Sequence, residues 1–299
     1  MPKIIITGGN GFIGKSLQYL LKQNDIEFNI LTRNPKKENE YRWNIEDGYI
    51  DENVFNNATA IIHLAGENIG SKRWSSAQRK LIIDSRVNST KLLYNFLSKQ
   101  KHTINTFIGA SGAGIYGDGK DTWQNEDTAA GNDFLADVCV AWESEAKKMQ
   151  SLNIRTAILR TGIVLDKDYG VLPKIIQSTK YSIGTYFSDG KQYMPWIHLD
   201  DIIAIYLYTI QNNNISGIFN AVAPNPVSNK EFSDKISLKL EKHLPPIAVP
   251  SFALKIALGE MVIILLNSNR CSANKIINAG YQFKYINLDN ALDNLLIQQ

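Results

Sequence analysis

The chain has 299 residues, enough for one large domain or two and for a sizeable core. An apolar fraction of 44%, a charged fraction of 20% and a net charge of +3 describe an ordinary globular protein, without the basic stripe that a nucleic-acid partner requires. Cys139 and Cys271 make neither a disulfide framework nor a metal pattern, and the longest apolar run, Met261 to Leu266, is far too short to span a bilayer.

The first strand begins at residue 3, which leaves no room for a leader, so a cytoplasmic location is expected. Ile4, Ile5 and Ile6 read as a strand buried on both faces. Thr7 and Gly8 end it. Gly8, Gly11 and Gly14 then fall at a G-x-x-G-x-x-G spacing, and an amphipathic helix runs from Lys15 to about Gln23. Gly8 suits a tight turn, Gly11 a close approach to a pyrophosphate, and Gly14 the packing of the new helix on the sheet. The helix N-terminus offers free N–H groups to the phosphates, and Phe12 and Ile13, between Gly11 and Gly14, are expected to contact the cofactor with it. Strand, glycines and helix in this order predict a dinucleotide site.

Phe28 to Thr32 is the second strand, and Arg33 stands just past it, 19 residues after Gly14. An acid near this place holds the ribose of NAD, whereas an arginine suits the 2′-phosphate of NADP. Arg33 therefore points to NADP(H), with Lys36 and Lys37 as solvated neighbours. Residues 34 to 57 are polar and poorly periodic. Ala60 to Leu64 is a buried strand whose carboxyl end brings Leu64, Ala65, Gly66 and Glu67 to the cofactor. His63, inside this strand, reads as a packed core histidine.

A helix over Ser76 to Lys99, a strand over Thr106 to Ala110, a glycine-rich loop over Gly112 to Gly119, a helix over Asp133 to Gln150 and a strand over Ile154 to Leu159 follow. This alternation predicts an α/β fold: a Rossmann-type doubly wound parallel sheet in residues 1–165. Residues 166–299 read as a smaller C-terminal substrate lobe, with part of 195–222 returning to the core and 245–299 as a helical segment. Within it, Gly170 to Ser188 reads as a helix and loop, and Asp200-Asp201 opens a helix over Ile202 to Ile210. Ile218 to Val222 reads as a strand, and Ser228 caps a helix to Leu240. Trp74, Trp123 and Trp196 read as exposed aromatics at a pocket or interface. No metal cluster is expected.

TGGNGFIG, LAGENI, SGAGIYG and MPWIHLDD resemble the extended short-chain dehydrogenase/reductases. More narrowly, LAGENIGSKRW, ILRTGIVL, PWIHLDD and GYQFKY resemble the atypical "epimerase family" branch of the NAD-dependent epimerase/dehydratase superfamily, whose C-terminal segment is a domain of unknown function. The resemblance implies a bound dinucleotide, contacts from Ile163 in ILRTGIVL, and, by analogy, a homodimer. It also implies a Tyr-x-x-x-Lys pair, in which the tyrosine handles a proton and the lysine holds the nicotinamide ribose. The matching helix, FLADVCVAWE, places Leu135 and Cys139 at those positions, with Glu143 four residues on. The serine position falls on Gly112, beside Ser111.

The standard pair is thus absent, and Tyr116 with Ser111, on the loop where the nicotinamide should lie, stands as a catalytic substitute, with Ser111 also expected to contact the cofactor; packing is the other reading of Tyr116. Arg86 replaces an asparagine usual in the family and reads as a phosphate or carboxylate clamp near the cofactor, or as a helix-surface arginine. Met194 stands where nucleotide-sugar enzymes often carry an arginine, which weakens a nucleotide-sugar substrate. His198, Asp200 and Asp201 read as structural. Two functions remain open: an NADP(H)-dependent oxidoreductase for a small carbonyl or hydroxyl compound, and a catalytically reduced NADP(H)-binding module that serves a partner.

Overall fold

The three isoleucines of β1 (Lys3–Thr7) are wholly buried, and they divide between the two faces of the sheet. The protein is described here by a computed structural model of residues 3–181, 184–242 and 244–296. Residues 182–183 of the loop expected before Ser188, and 297–299 of the helical tail, lie outside the described residues. Ile4 and Ile6 join α1 (Phe12–Gln23) through Leu17 and Leu21, while Ile5 faces the cluster on the other side.

β1 sits between β2 (Phe28–Thr32) and β5 (Ala58–His63), parallel to both. Beyond β2 lie β3 (Glu40–Asn44) and the antiparallel β4 (Tyr49–Ile50). These two strands are an addition to the sequence reading of 34–57 as irregular. Trp43, Ile50, Val54 and Phe55 are buried there, at too short a run to show a period among charged neighbours. On the other side come α2 (Ser76–Leu97), β6 (Thr106–Gly112), the short β7 (Trp123–Gln124), α3 (Phe134–Lys147) and β8 (Arg155–Thr161). The sheet of eight runs β13-β8-β6-β5-β1-β2-β3-β4, where β13 is Gly217–Ala221. The order reverses between β1 and β5, which opens a crevice at their carboxyl ends.

Ser75 caps α2 by accepting from Gln78 N, and Asp133 caps α3 by accepting from Ala136 N. After β8 the chain makes β9 (Ile163–Leu165), α4 (Leu172–Tyr181), β10 (Thr185–Phe187), β11 (Tyr193–Met194) and β12 (Trp196–His198). α5 (Leu199–Gln211) packs back against α1 in the main core. α6 (Asn229–Lys239), capped by Ser228, then packs with α10 (Leu288–Leu296) in a separate cluster around Trp196 and Phe232. Between them run α7 (Ser251–Leu258), α8 (Ile263–Leu266) and α9 (Asn274–Asn278). Trp74 and Trp196 are buried, against the expectation that they are exposed. Trp74 meets the Phe134 ring edge-on, and Trp196 donates Nε1–H to Asn225 O; Trp123 alone of the three is exposed.

Candidate active site: a glycine cradle opening on an apolar cavity

Gly8 adopts φ +68°, and a Cβ there would lie 2.7 Å from the Leu64 carbonyl carbon. At Gly14 a Cβ would lie 2.5 Å from Gly8 O, so the close approach is to the loop's own backbone, where the sequence suggested the sheet. Gly11 N donates to Gly8 O at 2.9 Å, and the Gln18 side chain braces the loop by donating to Gly9 O at 2.6 Å. No side chain caps α1, and its first turn holds no acid. Its first amides therefore stay available to an anion, where the helix dipole favours one. These features fit the pyrophosphate of a dinucleotide.

The cradle opens on a cavity of about 630 Å³. Gly8, Gly11, Phe12, Ile13 and Gly14 line it at one end. Leu64, Gly66, Glu67 and Arg86 line it from β5 and α2, and Ser111 and Ile163 from the ends of β6 and β9. Three residues singled out in the sequence lie outside the lining. Arg33 is exposed just past β2, where Asn10 Nδ2 donates to Thr32 Oγ1 at 3.1 Å and ties the glycine loop to that strand end. Ala65 packs into the apolar cluster on the α2 face. Tyr116 is buried behind the wall.

α3 turns Leu135, Val138, Cys139 and Trp142 to the cavity. Leu135 carries no proton. Cys139 donates its thiol to Gly112 O at 3.6 Å, and burial pushes its pKa up to about 11, so it stays a neutral thiol. Met194, Ile263, Ile264 and Leu265 close the cavity from the far side. The wall is largely apolar.

Behind the wall runs a polar network that the sequence did not reveal. Arg160 forms a fork with Glu143, Nε to Oε1 at 2.8 Å and Nη2 to Oε2 at 2.9 Å, and both side chains are buried. Ser111 donates to Glu143 Oε1 at 2.8 Å. Arg160 Nη1 donates to the Tyr116 hydroxyl at 3.0 Å, which donates to Asn220 Oδ1 at 2.7 Å. Burial pushes the Tyr116 pKa up to about 12 despite the arginine beside it. The sequence showed Ser111, Tyr116 and Glu143 singly and Arg160 as a charged residue ending an apolar strand, with no sign that they meet. Ser111 is its member at the cavity. With its hydrogen committed to Glu143, Ser111 offers the cavity an acceptor.

His63 is wholly buried, with Nδ1 2.7 Å from Thr7 Oγ1 and Nε2 within reach of Ser89 and Thr90, a packed core histidine as read. His198 caps α5 by accepting from Asp200 N at 3.0 Å. The Asp201 carboxylate accepts from Tyr281 Oη, Lys284 N and Tyr285 N, fastening the C-terminal segment to α5. Among the described residues, no cluster of His, Cys, Asp and Glu is arranged to hold a metal ion, and no helix is long and apolar enough to cross a membrane.

Sheet order and cradle define a Rossmann-type nucleotide-binding protein. Residues 4–221 match the model of the NAD-dependent epimerase/dehydratase family, and residues 249–295 match a domain of unknown function (DUF1731). The chain belongs to this epimerase/dehydratase family. It is 34% identical over 300 residues to the epimerase family protein YfhF of Bacillus subtilis (strain 168), covering 98% of this chain and 97% of that protein. It is 33% identical over 291 residues to epimerase family protein ML0860 of Mycobacterium leprae (strain TN), covering 97% and 94%. Among solved structures it resembles the human epimerase family protein SDR39U1 (isoform 2), crystallised with NADPH, with TM-score 0.91, 25% identity, and 99% and 100% of the two chains covered.

Proposed function

We propose that this chain is a cytoplasmic NADP(H)-dependent oxidoreductase acting on a small carbonyl or hydroxyl compound. The observation that carries the reading is the uncapped N-terminus of α1 over Gly8, Gly11 and Gly14, opening on the same cavity as Ser111. The human relative's crystal structure contains NADPH, which supports the same cofactor here. Bound nicotinamide supplies hydride chemistry. The chain's part is to bind, orient and exclude water.

The α1 amides hold the pyrophosphate, and Arg33, exposed past β2, suits a 2′-phosphate. Leu135, Val138, Ile263 and Ile264 keep water from the reacting end. Ser111, its hydrogen on Glu143, accepts a hydrogen bond from a substrate hydroxyl and orients it. Tyr116 serves structure in this reading, because its hydroxyl is spent on Arg160 and Asn220.

A second reading, an NADP(H)-binding module without turnover, draws on Leu135, which carries no proton, and on Cys139, whose buried thiol holds its proton on Gly112 O. Titration with NADPH and NADH, followed by nicotinamide fluorescence, tests the shared premise. Tighter NADPH binding, weakened about tenfold or more by Arg33→Ala, supports it. Equal or tighter NADH binding refutes the Arg33 assignment. Tight NADPH binding without oxidation across a panel of carbonyl compounds favours the second reading.

A further inference from the structure

Charge in the cavity wall is gathered at one strand end. Among the described residues of the lining, Glu67 and Arg86 are the charged ones. Arg86 Nη1 donates to Glu67 O at 2.9 Å, and a Cβ on Gly66 would lie 3.0 Å from Arg86 Cζ. The same strand end packs on the glycine cradle, where a Cβ on Gly8 would lie 2.7 Å from the Leu64 carbonyl carbon. Both charges therefore belong with the dinucleotide.

The rest of the described lining carries no charge. Two apolar clusters face the cavity. Leu135, Val138, Ile263 and Ile264 belong to the one that holds Trp74 and Phe134, and Ile175 and Met194 to the one around Trp196 and Phe232. Three asparagines in the lining give amide hydrogens to the protein itself. Asn229 Nδ2 donates to Met194 Sδ at 3.2 Å, Asn267 Nδ2 to Asp133 Oδ2 at 2.6 Å, and Asn269 Nδ2 to Gly117 O and Ser268 O.

A phosphate or carboxylate laid against such a wall gives up its water and meets no cation, whereas a methylene group gains by leaving water. Ser111, its hydrogen held by Glu143, adds one acceptor at the end of β6. An apolar wall with one fixed polar group orients a ligand that has one polar group of its own.

We propose that the substrate is uncharged, with an aliphatic body and a single reacting hydroxyl, or the ketone that corresponds to it. The body lies between Leu135 and Val138 on α3 and Met194, Ile263 and Ile264 on the far side, and the hydroxyl is directed at Ser111. The word substrate rests on the oxidoreductase reading; the apolar ligand site does not.

The test is calorimetric titration of the full-length protein, in saturating NADP⁺, by butan-2-ol, hexan-2-ol and octan-2-ol. A fourth ligand, 7-hydroxyoctanoate, is octan-2-ol with a carboxylate at its far end. NADPH formation is followed by absorbance in the same mixtures. Affinity rises roughly two- to fourfold per methylene, so octan-2-ol binds at least about tenfold more tightly than butan-2-ol. The carboxylate of 7-hydroxyoctanoate weakens binding at least about tenfold relative to octan-2-ol, and UDP-glucose does not displace octan-2-ol. Ile264→Asp weakens octan-2-ol by about tenfold or more, and Ile264→Leu changes it less than about threefold.

The proposal is overturned if octan-2-ol does not bind, if affinity is flat along the series, if 7-hydroxyoctanoate binds as tightly, if UDP-glucose displaces octan-2-ol, or if Ile264→Asp leaves its affinity unchanged. If NADPH forms from 7-hydroxyoctanoate as readily as from octan-2-ol, the oxidoreductase reading stands and the proposal falls. If affinity follows chain length while no NADPH forms, the oxidoreductase reading falls and the apolar site stands. The chain-length series on the wild type decides should Ile264→Asp fold poorly.

Discussion

Replacing Tyr116 by phenylalanine removes one oxygen that serves two buried neighbours. The hydroxyl donates to Asn220 Oδ1 at 2.7 Å and accepts from Arg160 Nη1 at 3.0 Å. The loss falls unequally on them. Arg160 keeps Glu143 through Nε and Nη2, and Glu126 O through Nη1 at 3.2 Å. Asn220, wholly buried, keeps its Nδ2 bond to Ser272 O but leaves Oδ1 unpaired. One neutral bond and one bond from a charged donor disappear, which destabilises the protein by roughly 2–4 kcal/mol. At about 2–3 °C per kcal/mol for a chain of this size, the melting temperature falls by roughly 5–10 °C. NADPH affinity stays within about threefold, since the hydroxyl lies behind the cavity wall. Urea denaturation and NADPH titration of the same preparation read both quantities. A variant of unchanged stability that loses NADPH affinity or turnover would place the hydroxyl in the chemistry and refute this reasoning.

Gly14→Ala forces a Cβ to within 2.5 Å of Gly8 O, so the cradle must open; NADPH binding weakens by about tenfold or more in the fluorescence titration. Ser111→Ala removes the acceptor at the cavity; once a turned-over substrate is in hand, kcat/KM falls about a hundredfold, while NADPH affinity changes less than threefold. His63 gives an acid-side signature. Burial first, and Arg86 second, lower its pKa from 6.5 to about 3. The unfolded chain therefore takes up the proton first, so this contribution is complete above pH 6.5 and is lost as pH falls from there toward 3. Urea denaturation at pH 7 and pH 4.5 should differ by about 2–3 kcal/mol from this residue, and the difference should shrink by that amount in His63→Gln.

Where the pattern is local, the sequence is a sufficient guide. Three isoleucines, three glycines and a helix in one run of residues state both the strand and the cradle, because turn, close approach and helix start depend on neighbours within the run. The caps at Ser228 and His198 are equally local. Tyr116 shows the opposite case. It stands in a glycine-rich loop at the carboxyl edge of β6, which made it a candidate for the chemistry. The direction of its hydroxyl is set by Arg160 and Asn220, 44 and 104 positions away, and neither pairing leaves a spacing to read. Trp196 is another such case: the strand that carries it is buried by Phe232 and Leu292, which follow much later in the chain.

The same reasoning gives the segment of unknown function a physical role in the site. Ile263, Ile264 and Leu265 form the far wall of the cavity. Their position is held by bonds to residues outside the segment. Asn267 Nδ2 donates to the Asp133 carboxylate that caps α3, Gln192 Nε2 donates to Leu265 O, and Ser268 Oγ donates to Lys120 O. Asp201 holds the segment again through Tyr281 and Tyr285. These bonds hold the wall in place beside the cavity. Changes in it then act as changes in cavity shape: a larger or smaller residue at 263 or 264 alters which apolar body fits beside Leu135 and Val138.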